Sequence, residues 1–145
     1  MRLTDLQEDM LLAMRRGRFP LARFELHNDA EEELAMTALD NVWMQDPEDP
    51  MELLRQRGAA LRALEEHGLI AVDFVPSACV AGDHTVYYRS KAYELLCRTA
   101  LEASQSVENC LFNLPVLCRG YAELTPRGRR ETRRMLARRR MERLG

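Results

Sequence analysis

Residues 49–74 read DPMELLRQRGAALRALEEHGLIAVDF, and the way this stretch divides decides the fold. Asp49 and Pro50 supply an N-cap and a first-position proline, the arrangement that opens a helix. Leu53, Leu54, Ala60, Leu61 and Leu64 then recur on one side at helical spacing, and His67-Gly68 closes the helix. Leu69 to Val75 (LIAVDFV) is short, apolar and rich in β-branched and aromatic side chains, so it reads as a strand. Arg57 falls inside the apolar stripe. Either its stem is buried with the head reaching water, or Gly58 interrupts the helix.

Downstream, PSACVAGD (76–83) reads as a loop and HTVYY (84–88) as the returning strand of a hairpin. Ser90 caps a helix that turns Ala92, Tyr93, Leu96, Cys97, Ala100 and Leu101 inward and ends in polar residues at 104–109. LFNLPVL (111–117) is apolar but holds a proline, Tyr121 to Leu124 is a last short strand, and Thr125-Pro126 starts the terminal helix.

Upstream, Thr4 and Gln7 form a capping box before Leu6, Met10, Ala13 and Met14, with Gly17 as the stop. FPLARFEL (19–26) is a connection or a short edge strand, because its proline cannot donate to a ladder. Asn28 or Asp29 is expected to cap a second helix. Its first turn holds Glu31, Glu32 and Glu33, where the helix dipole favours carboxylates, and its buried face is Leu34, Ala35, Ala38, Leu39, Val42 and Trp43. QDPEDP (45–50) ends it, since each proline disfavours helix for the residue before it.

Leu61, Leu64, Glu65, Gly68, Leu69 and Ile70 resemble the end of a recognition helix and the first wing strand of winged helix-turn-helix regulators such as the MarR and PadR types. Leu124-Thr125-Pro126-Arg127-Gly128-Arg129 is similar to the Leu-Thr-x-x-Gly-(Arg/Lys) step by which those families leave the wing for a C-terminal helix. The resemblance implies an α+β, mostly helical fold, a winged-helix domain over 1–126 followed by a C-terminal helix, here the basic 127–145. The sequence departs from the family in one respect: Ile70 and Tyr121 are farther apart than a simple wing needs, so a hairpin and helix are inserted at 76–117. The resemblance also implies duplex DNA as ligand, transcription regulation as role and a homodimer as the working form.

With 145 residues, 46% of them hydrophobic and 30% charged, the chain is long enough to bury a core without disulfides or metal. It carries no apolar run of the roughly 20 residues that span a bilayer, and MRLTDLQEDM lacks the regions of a signal peptide, so a cytoplasmic location is expected. Cys79, Cys97, Cys110 and Cys118 have no C-x-x-C spacing and His27, His67 and His84 are scattered, which predicts buried thiols and no metal or other cofactor. No nucleophile, phosphate-binding or dinucleotide motif is present, so no enzymatic activity is expected.

Charge is divided unevenly. Residues 127–143 hold nine arginines and two carboxylates, a net +7, while the first 126 residues sum to −9. Arg55 and Arg62, on the solvent side of the 49–67 helix, have the side chain that bonds guanine edges in the major groove, with Gln56 beside them. Their alternative is pairing with Glu52, Glu65 or Glu66 one turn away. Arg89, after Tyr87 and Tyr88, and Arg127, Arg129, Arg130 and Arg133 are candidates for phosphate contact, with the rest of the arginine helix behind them.

Against this, residues 28–52 hold nine carboxylates and no lysine or arginine, and an anionic surface repels phosphate. The alternative reading is therefore a winged helix used for protein contact, its arginine helix laid on an acidic body, its own or a partner's.

Overall fold

The computed structural model describes residues 2–31, 33–74, 79–106 and 111–145. Its elements run α1 (Asp5–Ala13), β1 (Phe19–His27), β2 (Ala35–Val42), α2 (Met51–Glu66), β3 (Ile70–Asp73), α3 (Thr85–Tyr88), α4 (Lys91–Ser106), β4 (Leu114–Leu124) and α5 (Pro126–Leu144). The strands form one antiparallel sheet in the order β2-β1-β4-β3. The fold is α+β. No helix among the described residues is long and apolar enough to cross a membrane.

Alternation along β1 divides the core in two. Leu21 joins Met10, Leu11, Trp43, Leu61, Leu64, Ile70, Ala122 and Leu124 beneath α1 and α2. Its neighbour Ala22, with Phe24 and Leu117, faces the opposite way and is covered by Tyr87, Ala92 and Leu96 of α3 and α4. Phe19 stacks on Trp43, ring centroids 3.4 Å apart.

The expected first helix forms with its capping box intact. The join of α2 to β3 does too. Gly68 adopts φ +72, and the Leu69 N–H reaches the Leu64 carbonyl while the Gly68 N–H reaches that of Glu65, a Schellman stop. The cap at the other end of α2 is different from the expected one. Pro50 occupies the N-cap position with no side-chain bond, and the Asp49 carboxylate turns back to accept the Gln45 and Asp46 N–H groups and the Arg57 guanidinium at 2.7 Å. Arg57 is thus buried and paired rather than snorkelling, its Nη1 also donating to the Trp43 carbonyl, and α2 runs unbroken through Gly58.

Four expectations are corrected. The predicted second helix over 29–43 is replaced by strand β2, paired to β1 from Ala22↔Val42 to His27↔Ala35, so among the described residues no helix lies between α1 and α2. FPLARFEL is neither a connection nor an edge. It is the inner strand β1, and Pro20 is accommodated because β2 ends at Val42, opposite Ala22, leaving that stretch paired to β4 alone. HTVYY is not a hairpin strand but α3, one helical turn in which Tyr87 is buried, its hydroxyl donating to the Pro20 carbonyl and accepting the Met44 N–H. Burial raises the Tyr87 pKa well above its ordinary value, so the hydroxyl stays protonated as a donor. Finally, 114–124 is one strand, β4. Pro115 lies where only β1 pairs with it, since β3 begins its pairing at Tyr121. Residues 76–78 of the expected loop and residues 107–109 of the expected polar helix end lie outside the described residues.

Candidate nucleic-acid interface

On α2, burying Leu54, Leu61 and Leu64 leaves Arg55, Gln56 and Arg62 exposed on the far side. Arg62 does not pair along its own helix. Its guanidinium lies 3.8 Å from Asp40 of β2, whose other oxygen is 3.5 Å from Arg23. The Arg62–Asp40 pair is solvent-exposed and holds Arg62 only weakly. Arg55 and Gln56 are exposed, with no carboxylate within 4 Å of Arg55 among the described residues.

Arg89 does not join this group. It is the exposed C-cap of α3, adjoining the start of α4, where Lys91 pairs with Glu48 at 2.6 Å and the Lys91 N–H bonds the Pro47 carbonyl.

α5 is fixed to the body from its first turn. Thr125 caps it, the hydroxyl accepting the Gly128 N–H and donating to the Gly68 carbonyl at 2.6 Å, while the Thr125 N–H reaches the Leu69 carbonyl. A Cβ on residue 128 would stand 1.9 Å from the Leu69 oxygen, so only glycine lets the helix approach this closely. Thr132 and Met135 are buried one and two turns on, and Arg139 pairs with Glu8 of α1 at 2.7 Å. Glu8 pairs with Arg139 while Arg15, past the other end of α1, lines a cleft with Arg129 and Arg133, so α1 and α5 run antiparallel.

With that face buried, the remaining arginines are sorted to the two flanks of α5. Arg129 and Arg133, together with Arg15 of the α1 end, Leu124 and Thr132, line a cleft of about 160 Å³. Arg127, Arg130, Arg134 and Arg138 line a groove of about 480 Å³ on the other side with Glu131, which pairs with Arg134 at 3.6 Å. Seven of the nine α5 arginines, Arg127, Arg129, Arg130, Arg133, Arg138, Arg140 and Arg143, have no carboxylate within 4 Å among the described residues.

The predicted contacts therefore fall into three places: the outer face of α2, the flanks of α5, and Arg89 alone. Arg15 and Arg16, both exposed, were not among the predicted site residues. The signal was present in MRRGR (14–18), whose basic run sits at a helix end that meets α5 only after folding.

Among the described residues no group of three or more His, Cys, Asp or Glu is placed to hold a metal. Cys79, Cys97 and Cys118 are free and half-buried, and Cys110 lies outside the described residues. Burial, with Glu25 accepting from Sγ at 3.3 Å, pushes the Cys118 thiol up to about 11, which disfavours the reactive thiolate. Comparison with protein-family models, curated proteins and solved structures finds no match.

Proposed function

We propose that this chain is a winged-helix DNA-binding protein that regulates transcription, holding duplex DNA chiefly by its phosphates through α5 and the end of α1. The observation that carries the reading is the state of the α5 arginines. The helix is seated on the body by Gly128, Thr132 and Met135, so seven guanidiniums project without a carboxylate partner instead of fraying or neutralising the acidic residues. Unpaired arginines held on a rigid element are what backbone recognition uses. The frame agrees in part with the winged-helix order: α1, β1, α2, β3 and β4 keep that order with β1, β4 and β3 adjacent, while β2 stands where the second helix would be and α3 and α4 intervene between β3 and β4. Arg55, Gln56 and Arg62 on α2 are the residues this reading sends to base edges. A homodimer belongs to the same reading, with exposed Met141 and Leu144 at the α5 end as the apolar contacts available to it.

The decisive measurement is affinity for a random-sequence duplex as a function of salt. Several phosphate contacts give a log–log slope of about −0.9 per phosphate, so affinity falls steeply. Arg55→Ala with Arg62→Ala lowers sequence preference while leaving most of that slope. Absence of binding at low salt overturns the proposal.

A second reading makes the same frame a protein-contact module. It is favoured by Arg62 lying toward Asp40 and Arg139 toward Glu8, which shows acidic residues of the body recruiting arginines.

A further inference from the structure

We infer that the cleft between α1, the end of β4 and the first turns of α5 is a site for one phosphate group, gripped by Arg15, Arg129 and Arg133. The inference rests on the DNA-binding reading for its source of phosphate, a backbone phosphodiester, but the chemistry is that of the cleft itself. Three arginines line it, Arg129 and Arg133 from α5 and Arg15 from the turn just after the α1 C-cap, and no carboxylate does. The other lining residues, Leu124 and Thr132, are buried, and the Thr132 hydroxyl is already spent on the Gly128 carbonyl at 2.7 Å. The walls therefore offer an anion nothing but cationic donors over an apolar floor.

Size narrows the ligand further. The cleft, about 160 Å³ and open to solvent, is below the roughly 300–1,000 Å³ of pockets that enclose a whole small molecule and has room for a single tetrahedral oxyanion. Guanidinium is also the head best matched to paired phosphate oxygens, since its planar fork donates two parallel bonds.

The opposite flank of α5 is a poorer candidate. Its groove contains Glu131, and Arg134 already pairs with it. The groove between the N-terminal part of α1 and α5 mixes Asp5, Glu8 and Glu142 with Arg2, Arg138 and Arg139, so it presents an anion with as many repulsive as attractive groups.

The positions of Arg129 and Arg133 explain why the site needs α1. Two arginines four residues apart lie one above the other on a helix and flank an anion from one side only. Arg15 supplies the opposing side, and it is brought there by the antiparallel docking of α1 on α5.

The test pairs duplex binding with a phosphate titration, on the full chain. In the first arm, random duplex affinity is followed against salt for the wild type and for Arg15→Gln with Arg133→Gln. The expected result is a slope shallower by about 0.9, the loss of one phosphate contact. A wild type that binds steeply and a double variant with the same slope overturn the cleft while leaving the DNA reading intact. In the second arm, inorganic phosphate is added and the arginine Nε–H resonances are followed by NMR. Saturable shifts confined to Arg15, Arg129 and Arg133 are expected, and in the double variant the Arg129 resonance, which remains, no longer shifts. If the wild type fails to bind duplex, the DNA reading falls and this arm decides the cleft alone: shifts at those three residues assign it to free phosphate or a phosphorylated small molecule, and their absence overturns it. All three heads are exposed, so the variants are expected to retain the wild-type circular dichroism; should the double variant unfold, Arg15→Gln alone carries both arms.

Discussion

Two places in this chain carry the same start signal and put it to opposite use. At Thr125 the hydroxyl accepts the N–H three residues ahead, and the 19-residue α5 follows. At Asn28 the side-chain oxygen accepts the N–H groups of Ala30 and Glu31, at 2.8 and 2.9 Å, and a turn follows that leads back along β1 as β2. The atoms and spacings of an N-cap and an Asx turn are nearly the same. What separates the two is the next contact. Thr125 is also tied to Gly68 and Leu69, which aims α5 along the body, whereas the Asn28 N–H bonds the Leu34 carbonyl and closes a hairpin.

The largest effect is expected where the first of these is broken. Gly128→Ala places a methyl 1.9 Å from the Leu69 carbonyl oxygen, a backbone atom that cannot swing away as a side chain does. Relief requires lifting α5 off the α2–β3 join, which also uncovers Thr132 and Met135. A loss of about 4 kcal/mol or more in urea unfolding is expected, with failure to fold as its extreme. A variant of wild-type stability would mean that α5 is not seated as described.

A smaller effect is expected at the third start signal, Asp49, which caps no helix. Its carboxylate is 12% exposed and bonds the Gln45 and Asp46 N–H groups and Arg57, itself 10% exposed at the side chain. Arg57→Ala leaves that carboxylate without its counter-charge and costs about 3 kcal/mol. The pair also makes stability depend on pH. Burial by itself would raise the Asp49 pKa, but the bond from the Gln45 N–H, the one from Arg57 and the one from the Asp46 N–H outweigh it and hold the carboxyl below its ordinary value. A carboxyl lowered on folding contributes stability above its unfolded pKa of about 3.9, and loses that contribution as pH falls through the folded value. Urea midpoints measured from pH 7 down to 3 should therefore fall less in Asp49→Asn than in the wild type. Equal falls would show that the ion pair is not formed.

How much of this was legible in the sequence follows from the same comparison. Elements whose signals are complete within a few residues were readable: the Thr4–Gln7 box, the Gly68 stop, the Thr125-Pro126 start. Elements whose state depends on a distant partner were not. Leu34, Ala35, Ala38, Leu39, Val42 and Trp43 repeat at helical spacing, yet Ala35 and Ala38 are exposed, and the segment becomes a strand because β1 offers it a ladder. HTVYY carries strand-forming residues, but Tyr87 finds its hydrogen bonds at Pro20 and Met44, 67 and 43 residues away, from a helical turn. The site was partly readable for the same reason. The α5 arginines were visible as a run, whereas Arg15 joins Arg129 and Arg133 only through the packing of α1 on α5, which no local pattern encodes.

The smallest effect is expected at Asn28. Asn28→Ala removes the acceptor for two N–H groups and the Nδ2 bond to the Leu111 carbonyl, but all three bonds are solvent-exposed and water replaces them. The cost is about 1 kcal/mol at most. Its location is more telling than its size. Amide hydrogen exchange should quicken at the far end of the β1–β2 ladder, around His27↔Ala35 and Leu26↔Met36, while α2 and α5 amides keep wild-type protection. That pattern follows if the turn is held by its own side chain and the helices by the Leu69 seam. Loss of protection spreading into α2 would mean instead that the hairpin end belongs to the same cooperative unit as the core, and that Asn28 and Thr125 differ in the direction the chain takes after them but not in how far their influence reaches.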